Sequence, residues 1–297
     1  MKLVLIYKKL TLLKNIFIGY CSCIYGNLRG HLLRVWTIAN QKGGVGKTTT
    51  TVALAGLLSE LGHKVLVMDL DPHGSLTSYF GYDPDSLTLS AFQIFQDNDD
   101  FTPDYIKSLT VNTTVPGLTL LPTTPALATV ERKMSGIDGM GLRISKALKE
   151  INGIYDYVLL DCPPILGVLM INALVACNRI IIPVQTEYLA LKGLERMKRT
   201  LSMIQKTRPS LLNTTIVPTM FDRRTQASIS SLNILRKRYS DSLWSSVIPI
   251  DTKLRDSSLK GKIPSEYDPH SRAARSYRQL LNYIIDLEIH IDQKQFA

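Results

Sequence analysis

Ile38-Ala39-Asn40-Gln41-Lys42-Gly43-Gly44-Val45-Gly46-Lys47-Thr48-Thr49-Thr50 is the stretch whose reading decides the fold. An apolar run, Val35-Trp36-Thr37-Ile38-Ala39, precedes it, and Val52, Ala53, Leu54, Leu57, Leu58 and Leu61 follow at helical spacing. A strand, a Gly-rich turn and a helix start together make an anion site. Glycines let the backbone wrap close to the charge, and the free N–H groups of the first helical turn point at it. The backbone of residues 43–49 is therefore expected to cradle a triphosphate. Lys47 would set a point charge against the β- and γ-phosphates, and the Thr48 hydroxyl would ligate Mg²⁺.

The general pattern G-x-x-x-x-G-K-[ST] is not met, because its first glycine would fall on Gln41. What stands here is Lys42-Gly43-Gly44-Val45-Gly46-Lys47-Thr48-Thr49, with a second lysine at the start of the loop. This resembles the deviant Walker A motif of the ParA/MinD ATPases. The resemblance implies that Lys42 crosses a dimer interface and touches the nucleotide of the partner subunit.

Further along, Lys64-Val65-Leu66-Val67-Met68-Asp69-Leu70-Asp71-Pro72 reads as a buried parallel strand ending in two carboxylates. Residues i and i+2 of a strand share a face, and ligands gather at the carboxyl ends of parallel strands, so both acids could look toward the phosphates. The segment is similar to the family's switch I, D-x-D-P-Q-G-N. It implies that Asp71 positions the attacking water and that Asp69 sits near the Mg²⁺ shell. Here His73 and Ser75 stand in place of the commoner Gln and Asn.

Tyr157-Val158-Leu159-Leu160-Asp161-Cys162-Pro163-Pro164 repeats the design. It resembles the Walker B/switch II segment D-x-P-P, in which Asp161 would hold Mg²⁺ through water. Pro163 and Pro164 would stiffen a turn that senses the γ-phosphate.

The strand at 213–218 leads into Thr219-Met220-Phe221-Asp222-Arg223-Arg224-Thr225. By resemblance this loop lies near the adenine and the dimer seam, with Pro218 and Met220 as nucleotide contacts. Near the end, Ile248-Pro249-Ile250, Gly261-Lys262-Ile263-Pro264 and Tyr267-Asp268-Pro269 are similar to the ParA pattern I-P-R…G-x-P-I…Y-D-P-x-S. Ile250 stands where DNA-binding members carry a basic residue. Lys253, Arg255, Lys260, Lys262, Arg272 and Arg275 could still build a phosphate-binding face.

The remaining elements are expected as helices at 126–134, 142–151, 187–207, 228–239 and 271–286, and strands at 118–121, 179–185 and 243–248. Asp268-Pro269 would cap and start the last helix. Residues 81–116 read as short surface helices and loops. Strands alternating with helices mean a doubly wound, mostly parallel α/β sheet.

The 297 residues are 45% apolar and 20% charged, with a formal charge of +10. Residues 1–34 contribute Lys2, Lys8, Lys9, Lys14, Arg29 and Arg34 and no acid, so the body is only mildly basic. This N-terminal stretch does not conform to the fold and reads as a non-native or mis-assigned start, with a weak membrane or polar anchor as the alternative. Its longest uncharged run, 15–28, is shorter than the ~20 residues a span requires. Residues 35–290 are expected to form one ATPase domain and 291–297 a tail. Cys21, Cys23, Cys162 and Cys177 have no metal spacing and read as free thiols in a reducing cytoplasm.

The chain is thus identified as similar to ParA/Soj-type P-loop ATPases over residues 35–287. The resemblance implies ATP and Mg²⁺ as cofactors, an ATP-dependent homodimer, a ParB-like activator and non-specific DNA binding in chromosome or plasmid partition. It implies no stable membrane insertion and a cytoplasmic, nucleoid-associated or polar location. The alternatives are a positioning ATPase for a protein cargo such as a chemoreceptor array, and a metabolic P-loop enzyme related to the amidoligases.

Overall fold

The computed structural model describes residues 33–96, 101–133, 140–206 and 212–295. Residues 1–32, including the N-terminal basic run and Cys21 and Cys23, lie outside them. Seven strands, β1 (Arg34–Ile38), β2 (Val65–Asp69), β3 (Val111–Asn112), β4 (Leu118–Leu121), β5 (Tyr157–Asp161), β6 (Arg179–Gln185) and β7 (Asn213–Thr219), form a single sheet. Its order is β3-β4-β2-β5-β1-β6-β7. Every pairing is parallel except β3 with β4. β2, β5 and most of β6 are buried on both faces, which is why they read as continuous apolar runs rather than alternating ones.

The helices are α1 (Lys47–Glu60), α2 (Ser75–Tyr79), α3 (Phe92–Gln96), α4 (Pro103–Ser108), α5 (Ala128–Lys133), α6 (Arg143–Glu150), α7 (Val168–Ala176), α8 (Tyr188–Lys206), α9 (Gln226–Arg238), α10 (Lys253–Leu259), α11 (Pro264–Tyr267) and α12 (Arg272–Gln295). They cover the sheet on both sides, over two separate apolar cores. One includes Leu66, Val158, Ile180, Leu169 and Leu194; the other includes Trp36, Leu54, Leu58, Leu159, Tyr277 and Leu281. No helix among the described residues is long and apolar enough to cross a membrane.

Three expectations are corrected. The segment 243–248 is not a strand. It follows the outer edge of β7 and bonds to it at Trp244 N–H to Ile216 C=O (2.9 Å) and Ile248 N–H to Pro218 C=O (2.8 Å). Only isolated bridges form, at Ile216–Leu243 and Phe221–Pro249. The segment closes a sheet edge without extending the ladder. The last helix does not start at Asp268-Pro269. Asp268 closes a turn by accepting from Ser271 N–H, and Ser271 Oγ accepts from Ala274 N–H (3.1 Å), so Ser271 is the cap.

The last helix also runs to Gln295, well past residue 286 and through most of the expected tail. Its distal turns are anchored. Glu288 is 7% exposed and accepts from Trp36 Nε1 (2.7 Å), Arg34 Nη1 (2.5 Å) and Arg179 Nε (3.2 Å), while Asp292 takes Arg34 Nη2 (2.8 Å). Arg34 opens β1, so it belongs to the sheet and not, as expected, to the N-terminal stretch.

Candidate functional site

β1 is central, flanked by β5 on one side and β6 on the other. Its carboxyl end is the crevice of a doubly wound sheet, where ligands bind. The loop from Asn40 to Gly46 leaves β1 there and turns into α1. Gly44 (φ 72°) and Gly46 (φ 89°) take the left-handed conformation that side chains resist, and Gly46 immediately precedes α1. A Cβ at Gly43, Gly44 or Gly46 would meet nothing within 4 Å, so the loop walls an open cradle. The first turn of α1 carries no acid to compete for its N–H groups. The cradle and its donor set fit a triphosphate.

The two lysines occupy different places. Lys47 is buried, and its Nζ lies 3.4 Å from the Lys42 carbonyl oxygen, under the loop. Lys42 instead directs its ammonium out to Glu187, just before α8, in an ion pair. Partial desolvation lowers its pKa. Gly193 on α8 faces this loop, and a Cβ there would make only ordinary contact, 3.5 Å from Lys42 Cβ and 3.6 Å from Asn40 Oδ1. Asn40 donates to Pro183 C=O (2.7 Å), while its own buried Oδ1 has no partner.

The ends of β2 and β5 lie in register at Asp69 and Asp161. Thr48 Oγ1 donates to Asp161 Oδ2 (2.6 Å), and Thr51 Oγ1 reaches Asp161 Oδ1 (3.4 Å). Burial pushes the Asp161 carboxyl up to about 7, opposed by Thr48 and the charge of Lys47. A hydroxyl and a carboxylate at the mouth of a phosphate cradle are hard oxygen donors of the kind Mg²⁺ takes.

Asp69 is fully buried. Its Oδ2 accepts from Thr77 N–H (2.8 Å) and Thr77 Oγ1 (2.7 Å), and its Oδ1 from Asp71 N–H (3.1 Å). Burial and then the nearby Asp161 raise it to about 8. These bonds hold the β2–α2 loop, and the register sets Asp69 beside Asp161. Asp71 is half-buried, beyond the strand end, and its Oδ1 is engaged by His73.

Pro218 and Met220 come to the same end of the sheet. Thr219 Oγ1 between them donates to Val45 C=O (2.9 Å), which ties β7 to the loop. Met220 has φ 52°, unusual outside glycine, and its carbonyl accepts from Thr186 Oγ1 (3.4 Å).

Lys253, Arg255, Lys260, Lys262, Arg272 and Arg275 are all exposed on α10, α12 and the connection after α10. Lys262 pairs with Glu266 (2.7 Å) and Lys253 with Asp256 (3.7 Å). Arg272 lines a cleft of about 440 Å³ with Arg223, Arg224, Asp222, Ile250 and Asp251. Arg223 and Arg224 were absent from the sequence-derived basic face; a pair of arginines beside an Asp in a loop gives no signal until the fold brings Arg272 to them.

A family model described as an AAA domain matches residues 33–216. The sporulation initiation inhibitor protein Soj of Bacillus subtilis is 38% identical over 248 residues, spanning 83% of this chain and 96% of that one. The chromosome partitioning protein ParA of Caulobacter vibrioides is 34% identical over 86% of this chain and 95% of its own. The chain belongs to the ParA/Soj family of chromosome-partitioning ATPases.

Solved structures agree with the family's fold. A protein from Mycobacterium smegmatis described as cobyrinic acid a,c-diamide synthase, with a bound ATP analog and magnesium, matches at TM-score 0.72 and 34% identity, over 86% of this chain and 95% of that one. The septum site-determining protein MinD of Pyrococcus horikoshii, complexed with Mg-ADP, shares the fold at TM-score 0.68 and 20% identity, over 85% and 98% of the two chains. Glu187, which pairs with Lys42, was flagged by no motif, and Thr219, which bonds the Val45 carbonyl, was quoted in its loop without a role. Neither lies in a Gly-rich or Asp-Pro signature.

Proposed function

We propose that this chain is a nucleotide-switched partitioning ATPase: ATP and Mg²⁺ bind at residues 42–49 and close two copies into a dimer, and hydrolysis releases it. The amides of residues 43–49 and Lys47 neutralise the triphosphate. Thr48 directly, and Asp161 through water, would hold Mg²⁺, which supplies charge neutralisation at the β- and γ-phosphates when bound. Asp71 orients the attacking water. Pro218 and Met220 border the base.

The observation that carries this reading is the placement of Lys42. Its ammonium is held at the rim by Glu187, leaving the inner position to Lys47, and exchanging Glu187 for the phosphates of a second subunit's nucleotide is the step that couples ATP to dimerisation. Apolar side chains around that rim support a partner surface: Ile165 is 64% exposed, Tyr188 65% and Leu189 67%. The relative solved with an ATP analog and magnesium supports the cofactors.

The ATP dimer then binds duplex DNA non-specifically through the exposed basic face, in the cytoplasm, and a ParB-like partner stimulates turnover. Ile250 and His73 are departures from the DNA-segregating pattern and favour, as the second reading, a protein cargo. The test is sedimentation of the full chain carrying Asp71→Ala on non-specific duplex DNA, with ATP against ADP and at two salt concentrations. ATP-dependent retention that weakens as salt rises supports the DNA-bound switch. A dimer that ignores DNA points to a protein cargo, and an ATP-bound monomer refutes the switch.

A further inference from the structure

The loop after β2 carries a contact that the phosphate site does not require. Asp71 C=O accepts from Gly74 N–H (2.9 Å), closing a four-residue turn with Pro72 at its second position. Gly74 has φ 66°, and a Cβ there would stand 2.4 Å from Pro84 Cγ, a contact only glycine avoids, so the turn is fixed in place. Within it, His73 reaches back to Asp71 twice. Its backbone N–H donates to Asp71 Oδ1 (3.1 Å), and its ring Nδ1 lies 2.7 Å from the same oxygen. The ring is 78% exposed and the carboxylate 14%.

We infer that His73 is a positioning residue that holds the Asp71 carboxylate and makes its availability to water depend on the charge of the imidazole. This rests on the proposed role of Asp71 in orienting the attacking water. Asp71 Oδ1 can accept from the water only in competition with two donors from one residue. When the ring is cationic, both partners of the Nδ1–H bond are ionised and the ring neutralises the carboxylate. When the ring is neutral, the same bond is weaker and Asp71 keeps its full charge.

Charged groups near Asp71 among the described residues include Asp69, whose Oδ1 accepts from the Asp71 N–H (3.1 Å), and Asp161, whose carboxyl the Asp71 charge raises. The ring itself faces solvent. Histidine is the side chain whose ordinary titration falls between about pH 5 and 8. A glutamine, commoner at this place by resemblance, could donate to Asp71 but could not switch.

The sign follows. Turnover is low where the ring is protonated and rises as it loses its proton. Between pH 5.5 and 7.5 the neutral fraction of an ordinary imidazole rises about tenfold.

The experiment uses the full chain and measures kcat and KM for Mg-ATP from pH 5.5 to 8.5 in the native protein, His73→Gln and Asp71→Ala. A fluorescent ATP analogue reports nucleotide affinity in parallel. The expected result is a kcat that climbs several-fold in the native protein with KM and affinity unmoved, a flat kcat in His73→Gln that exceeds native at pH 5.5, and background turnover throughout in Asp71→Ala. Coincident pH profiles for native protein and His73→Gln, with Asp71→Ala inactive, overturn the role of His73 alone. Native turnover in Asp71→Ala overturns the assignment of Asp71 and the role of His73 with it.

Discussion

Replacing Gly167 with alanine tests how the turn after Asp161 is held. Gly167 precedes α7 in an extended conformation (φ −143°, ψ −163°) that alanine adopts freely, so backbone strain plays no part. What the substitution meets is the carboxylate end of Glu131 on α5, which must move aside. A Cβ at 167 would overlap its carboxylate, standing 2.5 Å from Cδ. That carboxylate caps α7, with Oε2 accepting from Val168 N–H (2.9 Å) and Oε1 from Leu169 N–H (3.0 Å).

Displacing it loses two charge-assisted bonds and a favourable charge at a helix N-terminus. Hydrogen bonds to charged groups contribute about 1.5–3 kcal/mol each, but water reaches part of what is lost, and removing an N-cap costs about 0.5–2 kcal/mol. We expect a loss of about 2 kcal/mol, or about 4–8 °C in Tm for a body of this size. Thermal melts of Gly167→Ala, Glu131→Ala and the double variant give the coupling. The double variant should be little worse than Glu131→Ala alone, because the overlap and the cap are one feature. Additive losses, or a Gly167→Ala protein within about 0.5 kcal/mol of native, would refute this reasoning.

Asp69 predicts a pH dependence of stability without nucleotide or metal. Its carboxyl is held near 8 in the folded state, above its unfolded value, so the folded chain binds the extra proton and stability falls as pH rises from about 4 through about 8. Asp69→Asn should reduce the slope of Tm against pH over that window, leaving the part that Asp161 contributes; an unchanged slope would show that the pH sensitivity lies elsewhere. Thr48→Ala should leave the fold intact and remove most of the tightening that Mg²⁺ gives to ATP binding, about 10–100-fold, while Mg²⁺-free binding changes little. Titration of a fluorescent ATP analogue with and without Mg²⁺ reads this, and a preserved Mg²⁺ effect would exclude Thr48 as a ligand.

The phosphate loop was legible because its signals are local. Closely spaced glycines, a preceding apolar strand and a following apolar helix, buried from Thr50 to Leu58, all fall within one short stretch. The doubly buried strands β2, β5 and β6 were equally clear, since nothing but a central parallel sheet accommodates such continuous apolar runs. What the sequence hid was long-range. Leu243, Trp244 and Ile248 suggest a strand, but their apolarity serves packing against the edge of β7. Glu288 looks like part of an acidic tail until the fold sets it between Arg34, Trp36 and Arg179. Helix α7 went unread because its N-cap is a side chain 36 residues away in sequence, Glu131 against Gly167. The motif gave no sign of the hydrogen bonds that Thr77 and the Asp71 amide make to Asp69.

The most direct test of the nucleotide-driven dimer is sedimentation velocity of Asp71→Ala and Asp71→Ala/Lys42→Ala with Mg-ATP against Mg-ADP, with turnover of Lys42→Ala measured alongside. The expected result is an ATP-specific dimer that disappears with Lys42 and a Lys42→Ala turnover at background. A Lys42→Ala protein that hydrolyses ATP at the native rate as a monomer would contradict the role of Lys42 across the interface and with it the switch.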